Sequence, residues 1–294
     1  MLRKSHDDFG ENELAFSACL LLSALAPTRV ARQTLVQDDR FVKSLSALAG
    51  NASSAELRYA GLKLVAALLP YVAGEDKTST DRLCEVLISA LTSEHKLKQT
   101  VELNANMLHS TAITGIIVVF DYLSSEQQET AAKAVAAHFM KTVKTFTVTR
   151  STSKQALRAH GAHLCYNLTL CLLLVRGKDF MDDVFTQELL TSFMNIIQWR
   201  HDPKTSLDKA DEKAWNAAIS NSLLILSLVL WRPDEILTQA NLNLTELAST
   251  SLMLARPGKA PRKAIDLKSA LTRITESPDS AASLAASRIL DRLF

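Results

Sequence analysis

The segment SKQALRAHGAHLCYNLTLCLLLV, Ser153–Val175, has the pattern that recurs along this chain. It begins with charged, amide and small residues and ends in a run of Leu and Val. Segments with the same pattern lie at Ser54–Pro70, Lys213–Trp231 and Ala281–Phe294. Helices of this kind cannot bury their apolar surface alone, so they stack on neighbouring copies. The repetition therefore predicts an all-α solenoid, an architecture whose usual role is to hold other proteins.

The composition agrees with a helical chain and narrows the classes of partner. The 294 residues include only 8 Gly and 7 Pro, which leaves little material for hairpins. The formal net charge is +2, so the overall charge predicts neither a nucleic-acid nor a membrane partner. The cysteines form no C-x-x-C pair, which favours free buried thiols in a reducing compartment: Cys19, Cys84, Cys165 and Cys171. We therefore expect a cytoplasmic or nuclear protein.

The apolar segments are assigned to the interior of the fold. Leu14–Ala26 has the length of a signal-peptide core, but the residues before it are more acidic than basic, so a buried first helix is favoured. The longest strongly apolar stretch, Leu164–Val175, is shorter than the roughly 18 residues of a membrane span. The apolar start at Leu14 and the apolar end at Phe294 suggest a solenoid that continues into a larger protein or into a partner.

Periodicity and capping residues predict about 10 to 13 helices in a single helical-repeat domain. This domain covers residues 1–294, with an irregular N-terminal cap at 1–50 and helix pairs over 51–294. No strand is predicted, because even Ile116–Phe120, which has a strand-like composition, is flanked by helical pattern.

Four local predictions follow from the same patterns. Thr111–Gly115 is a candidate helix break, because β-branched residues and Gly weaken a helix. Ser125 with Gln128 is predicted to cap the next helix. Asp234–Leu254 is assigned to one helix, and RPGKAP at Arg256–Pro261 to a loop.

The segment LRAHGAHLCYNLTLCLL, Leu157–Leu173, resembles the inner helix of an armadillo-type repeat. The resemblance covers most of the chain after about Ser53, with a spacing somewhat longer than the about 40 to 47 residues of armadillo and HEAT repeats. It implies an α–α superhelix in which an Asn on the inner helix faces a concave groove and binds the backbone of an extended peptide. Asn167 matches that position best, and Asn221 in AAISNSLLILSL matches second. Myosin-chaperone (UCS) domains and the armadillo-like PUL domain have a comparable texture, and the choice between them stays open.

One stretch of the chain carries charge of a single sign. Between Glu129 and Asp179 there is no acidic residue. Five basic residues bracket a predicted loop at Thr147–Thr152 and form a candidate partner-binding patch: Lys141, Lys144, Arg150, Lys154 and Arg158. Such a patch could hold an acidic peptide, a phosphoprotein or nucleic-acid phosphates. The alternative is a solvated helix end whose acidic partners come from neighbouring repeats.

The chain has no recognisable catalytic or cofactor motif. It lacks the phosphate-binding, dinucleotide-binding, zinc-protease and nucleophile-elbow patterns, so we predict no enzyme activity, no cofactor and no metal site. His160 and His163 are assigned to packing or solvent. A smaller basic cluster, Arg256 to Lys263, lies in the predicted loop region. Three tryptophans recur at a constant spacing and are assigned to packing near helix ends: Trp199, Trp215 and Trp231.

These patterns predict a non-enzymatic scaffold or adaptor, chaperone-like or a subunit of a larger complex. It would bind a protein partner on a concave face formed by the longer helices. The alternative is a nucleic-acid-associated helical-repeat subunit that uses the patch from Lys141 to Arg158.

Overall fold

The computed structural model describes residues 2–28, 30, 34–35, 37–51, 55–72, 77–92, 102–148, 155–202, 209–256 and 259–294. This part of the chain forms fourteen α-helices and one two-stranded β-sheet. The predicted helical class is therefore confirmed, with a short β-hairpin as an addition. The chain divides into two compact units, Met1–Ala131 and Ala132–Phe294, and each is described by itself.

Within the described ranges, five helices with given bounds and the start of a sixth belong to the N-terminal unit. They are α1 (Leu2–Leu25), α2 (Asp39–Asn51), α3 (Ala55–Val72), α4 (Lys77–Thr92), α5 (Glu102–Val119) and the first part of α6 (Ser125–Val148). A 3₁₀ turn, Phe120–Tyr122, follows α5. The helix α3 packs against α1, α2, α4 and α5, and α2 also packs against α4. Neighbouring helix pairs thus lie in two layers, with α3 beside α5 and α2 beside α4.

Small residues allow the helices of this unit to approach closely. A Cβ atom placed on Gly61 of α3 would lie 3.0 Å from the Cα atom of Ala49 on α2. One placed on Gly115 of α5 would lie 2.7 Å from Leu87 Cδ1 on α4 and 3.1 Å from Ala66 Cβ on α3. Gly115 therefore serves close packing. The candidate break at Thr111–Gly115 is wrong, because α5 continues through it. The assignment of Ile116–Phe120 to helix is confirmed for Ile116–Val119, and Phe120 begins the 3₁₀ turn.

The cap before α6 lies one residue earlier than the sequence pattern indicated. Ser124 Oγ accepts from the Gln127 N–H at 3.3 Å, and Gln127 Oε1 accepts from the Ser124 N–H at 3.1 Å. This reciprocal pair is a capping box. The buried side chain of Gln128 instead donates to the Phe120 carbonyl at 2.8 Å. The predicted pair of Ser125 with Gln128 is therefore wrong.

The C-terminal unit contains the rest of α6, eight further helices and the hairpin. The elements are α7 (Gln155–Leu174), α8 (Met181–Val184), α9 (Gln187–His201), α10 (Lys209–Leu230), α11 (Asp234–Gln239), α12 (Leu244–Ala248), β1 (Met253–Arg256), β2 (Lys259–Lys263), α13 (Leu267–Thr275) and α14 (Ser280–Leu293). The helix α10 packs against α7, α9 and α14, while α9 and α14 also contact α13. The helices α7, α10 and α14 therefore form one layer, with α9 and α13 behind it.

The region after α10 differs most from the sequence prediction. Asp234–Leu254 was expected to be one helix, but α11 and α12 are separated at Asn241, whose φ is 56°. Asn243 then caps α12 by accepting from the Glu246 N–H at 3.1 Å. The strands β1 and β2 form an antiparallel hairpin where a helix end and a loop were predicted. The sequence analysis predicted no strand, and this prediction is therefore wrong for the hairpin.

Candidate protein-interaction surface

The helices α10 and α14 lie side by side and run in the same direction. Ser220 Oγ donates to Asp279 Oδ2 at 3.0 Å, which ties the middle of α10 to the start of α14. Arg292 Nε donates to the Leu230 carbonyl at 2.8 Å, which ties together the C-terminal ends of both helices. Two parallel helices joined at two points along their contact form a rigid support for the side chains on their outer face.

Three large apolar side chains on these helices are exposed. Leu228 is 45% exposed, Trp231 at the end of α10 is 56% exposed, and Leu284 on α14 is 59% exposed. The guanidinium of Arg288 lies 5.8 Å from the centre of the Trp231 ring. Leu284 and Arg288 are one helical turn apart, so they share a side of α14. We call these four residues the Trp231 surface.

A cleft of about 320 Å³ adjoins this surface, with Trp231 in its lining. The other lining residues are Arg232, Pro233, Asp234 and Arg292. Arg232 forms a two-point ion pair with Asp182, and hydrogen bonding to this guanidinium lowers the pKa of the carboxyl. Arg292 pairs with Asp234 and also donates to the Arg232 carbonyl at 3.2 Å. Both arginines are thus fixed in place, so the cleft offers an ordered polar wall beside an apolar surface.

The asparagines predicted for a peptide groove occupy half-buried positions on neighbouring helices. Asn221 on α10 donates through Nδ2 to Thr169 Oγ1 on α7 at 3.2 Å, and Thr169 is buried. This bond uses one of the two amide hydrogens of Asn221. Asn167 lies on α7 two residues before Thr169, about 200° around the helix. The structure therefore places Asn221 at the α7–α10 contact, and a groove role for either residue stays a prediction.

The predicted basic patch is only partly within the described residues. Lys141 and Lys144 are both exposed on α6, three residues apart and on the same side of the helix. Arg150 and Lys154 lie outside the described residues, and the side chain of Arg158 on α7 does so as well. Burial, together with the charge of Lys141, lowers the pKa of nearby His138 to about 4.

The three tryptophans have different environments. The rings of Trp199 and Trp215 are in edge contact with centroids 4.8 Å apart, and Trp215 is only 1% exposed. These two residues pack as the sequence predicted, whereas Trp231 is largely in solvent. The sequence carries no local signal for this difference, because Leu224, Leu228 and Trp231 lie at the helical spacing that is typical of a buried face.

The buried thiols have the properties expected for packing residues. All four cysteines are unpaired and buried. Burial raises the pKa of Cys171 to about 12, and burial with the nearby charges of Asp81 and Glu85 raises that of Cys84 to about 12. Across the described ranges, no group of three His, Cys, Asp or Glu side chains is placed to hold a metal ion.

One described helix is long and apolar enough to span a membrane by length and composition alone. It is the segment Asp211–Leu230 in α10, and 61% of it is buried inside the fold. The sequence prediction that no apolar segment reaches this length is therefore wrong. A core helix of a folded unit also meets this criterion of length and composition, and the extent of burial here is that of such a helix.

Comparison with known proteins shows similarity of fold only. No family model matches the chain, and no curated protein matches it. An engineered helical protein solved by the Northeast Structural Genomics Consortium aligns over 96% of this chain and 91% of its own, with 14% identity and a TM-score of 0.50. A second engineered protein from the same consortium covers 96% and 95% at 13% identity with a TM-score of 0.18, too low to carry an argument. The first likeness supports the mostly helical architecture.

Proposed function

We propose that this chain is a non-enzymatic interaction module and that its C-terminal unit binds a partner protein at the Trp231 surface. The observation that carries the proposal is the exposed Trp231 ring with the Arg288 guanidinium over it, beside exposed Leu228 and Leu284. Trp and Arg are the residue types most enriched among energetically dominant interface residues. An apolar side chain of the partner would cover Trp231 and Leu284, while a carboxylate would pair with Arg288.

We also propose that the helices are arranged as armadillo- or HEAT-type repeats. The two-layer packing of neighbouring helices in each unit is what armadillo- and HEAT-type repeats would produce. In such repeats, side chains from successive helices of one layer form a shared binding surface. The Trp231 surface belongs to the layer of α7, α10 and α14, which contains the two longest described helices that lie wholly in this unit, α7 and α10, and also Asn167 and Asn221. We extend the proposal to a scaffold or adaptor role in the cytosol or nucleus, which the free buried cysteines favour.

The experiment is affinity purification with mass spectrometry on the wild-type chain and on Trp231→Ala combined with Leu284→Ser. We expect a defined partner to be lost from this variant. The matched control is Tyr122→Ala, because Tyr122 is also a largely exposed aromatic residue but lies in the N-terminal unit. Retention of every partner by the Trp231 variant, or equal losses in the control, would contradict the proposal.

The second candidate is a nucleic-acid-associated subunit that uses the basic patch. It is supported by Lys141 and Lys144, which are exposed on the same side of α6. The test replaces Lys144, Arg150 and Lys154 with Glu and measures binding to a duplex DNA and a single-stranded RNA at several salt concentrations. Strong loss of binding and a steep salt dependence would favour this candidate. Binding that is indifferent to salt, or equal losses with Lys43→Glu on α2, would exclude it.

A further inference from the structure

The hairpin of β1 and β2 has backbone groups that point away from its own ladder. The Ala264 N–H donates to the Leu252 carbonyl at 2.8 Å, so these two residues form a hydrogen-bonded pair. The next pair in the register is Met253 with Lys263. In an antiparallel ladder such pairs alternate, so the N–H and C=O of Met253 and of Lys263 point outward to the two opposite edges.

The outer edge of β2 is obstructed by the protein itself at three positions. Pro261 has no N–H to donate, and the Ile265 N–H donates to Asp202 Oδ2 at 3.1 Å. Arg262 Nη1 lies 3.3 Å from the Lys263 carbonyl and donates to it. Proline and capped backbone groups are the usual means of protecting a strand edge from pairing.

The outer edge of β1 has no comparable protection. Within the described residues, no hydrogen bond occupies the outward N–H and C=O of Met253, whose side chain is 50% exposed. The strand is nevertheless held firmly, because Leu252 and Leu254 are buried in a small apolar cluster against Trp199. An anchored strand with an open edge is a template for a further strand.

The hairpin and the residues after it carry an excess of basic side chains, which favours a strand with acidic residues as the partner of this edge. The segment from Arg256 to Lys268 contains one acidic residue, Asp266, which caps α13 through the Ser269 N–H. It contains five basic residues: Arg256, Lys259, Arg262, Lys263 and Lys268. Arg262 is paired with the buried carboxylate of Asp202, and Lys268 Nζ lies 5.4 Å from the centre of the Phe294 ring. Lys263 is exposed directly opposite Met253 and therefore on the same face of the hairpin.

We propose that the outer edge of β1 binds an extended acidic segment of a partner protein as a third strand. Main-chain hydrogen bonds to Met253 hold the segment. A carboxylate of the segment lies beside the Met253 side chain on the face that carries Lys263, and the apolar side chains that alternate with it point to the other face. This site is separate from the Trp231 surface and does not depend on the function proposed for it.

The probe is a fluorescein-labelled peptide of alternating Val and Glu, and its affinity for the full chain is measured by fluorescence anisotropy. We expect Met253→Pro, which removes the outward N–H, to weaken binding by about tenfold. Lys263→Glu should weaken it by a similar factor, whereas the charge-matched control Lys43→Glu on α2 should have no effect. Far-UV circular dichroism and thermal unfolding show whether Met253→Pro remains folded, and Lys263→Glu tests the same edge without altering the backbone.

A second measurement identifies the edge directly. Hydrogen exchange followed by mass spectrometry should show slower exchange in the peptide that contains Met253 when the probe is bound. The backbone N-methylated form of the probe, which cannot pair with a strand, should not bind. The proposal is overturned if the N-methylated probe binds equally well, if the Val/Glu probe does not bind, or if the hairpin mediates only concentration-dependent self-association that Met253→Pro removes.

Discussion

The carboxylate of Asp202 is buried and is held by the guanidinium of Arg262 through two hydrogen bonds. Arg262 Nη1 lies 2.8 Å from Oδ2, and Arg262 Nη2 lies 2.5 Å from Oδ1. The same carboxylate accepts from the Ile265 N–H. Hydrogen bonding to Asp202 raises the pKa of Arg262. One side chain at the end of α9 therefore fixes the hairpin, 60 residues later in the chain.

Removal of this carboxylate should weaken the C-terminal unit measurably. Asp202→Ala leaves the Arg262 guanidinium and the Ile265 N–H without their acceptor, and we expect the free energy of unfolding to fall by about 2–4 kcal/mol. Urea unfolding followed by tryptophan fluorescence reports on this unit, because all three tryptophans lie in it. Asp234→Ala is the control. Asp234 is an exposed partner of Arg292, so its loss should cost under about 1 kcal/mol.

The two tryptophans at opposite ends of α10 should differ in their contributions to stability. Trp215→Ala removes a fully buried ring that contacts Trp199, and we expect a loss of about 3–5 kcal/mol. Trp231→Ala removes an exposed ring and its contact with Arg288, which should cost about 1 kcal/mol or less. Urea unfolding followed by circular dichroism compares them. Equal losses would show that Trp231 contributes to the core and would remove the basis of the proposed interaction surface.

The glycines of the N-terminal unit should respond to alanine in opposite directions. Gly50→Ala near the end of α2 meets no atom within 4 Å, and the higher helix propensity of Ala should stabilise the unit by up to about 1 kcal/mol. Gly61→Ala places a methyl group 3.0 Å from the backbone of Ala49, so we expect destabilisation by about 1–3 kcal/mol. Thermal unfolding followed by circular dichroism measures both. A stabilising Gly61→Ala would mean that α2 and α3 separate at little cost.

The protein should lose stability on mild acidification. Burial lowers the pKa of His138 and of His201 to about 4, with the charges of Lys141 and of Arg200 and Arg273 as further causes. In the unfolded chain both side chains titrate near about 6.5. Between these values the unfolded state binds protons that the folded state does not. The contribution of these two histidines to the free energy of unfolding is therefore fully present above about pH 6.5, and it is lost as the pH decreases towards about 4.

The measurement compares urea midpoints at about pH 7.5 and about pH 5. The difference between the two midpoints should be smaller in His138→Gln than in the wild type. In this variant the unfolded state no longer gains a proton at position 138 on acidification. His163→Gln, at an exposed position on α7, is the control and should leave the difference unchanged. An unchanged difference in His138→Gln would contradict the role assigned to burial of this histidine.

The sequence determined the helical architecture because helix formation depends on local spacing. Leu83, Leu87, Ala90 and Leu91 recur at helical intervals and are all buried on α4. Ile116–Val119, with a strand-like composition, is helical in the structure as its flanking pattern predicted. The packing of Trp199 and Trp215 was also predicted from their positions near helix ends, although their contact with each other was not. In each case the information lies within a few residues of the feature.

Tertiary structure alone decided the features that depend on distant partners. The segment from Met253 to Lys263 pairs as a hairpin because Trp199 covers its apolar side and Asp202 binds Arg262, and both partners are in α9. Trp231 is exposed while Trp215 is buried, although both lie at ends of apolar stretches, because the ring of Trp199 from α9 packs on Trp215 whereas a guanidinium from α14 lies over Trp231. Local sequence determines the period of an element, whereas burial and strand pairing depend on which remote side chains the fold brings into contact.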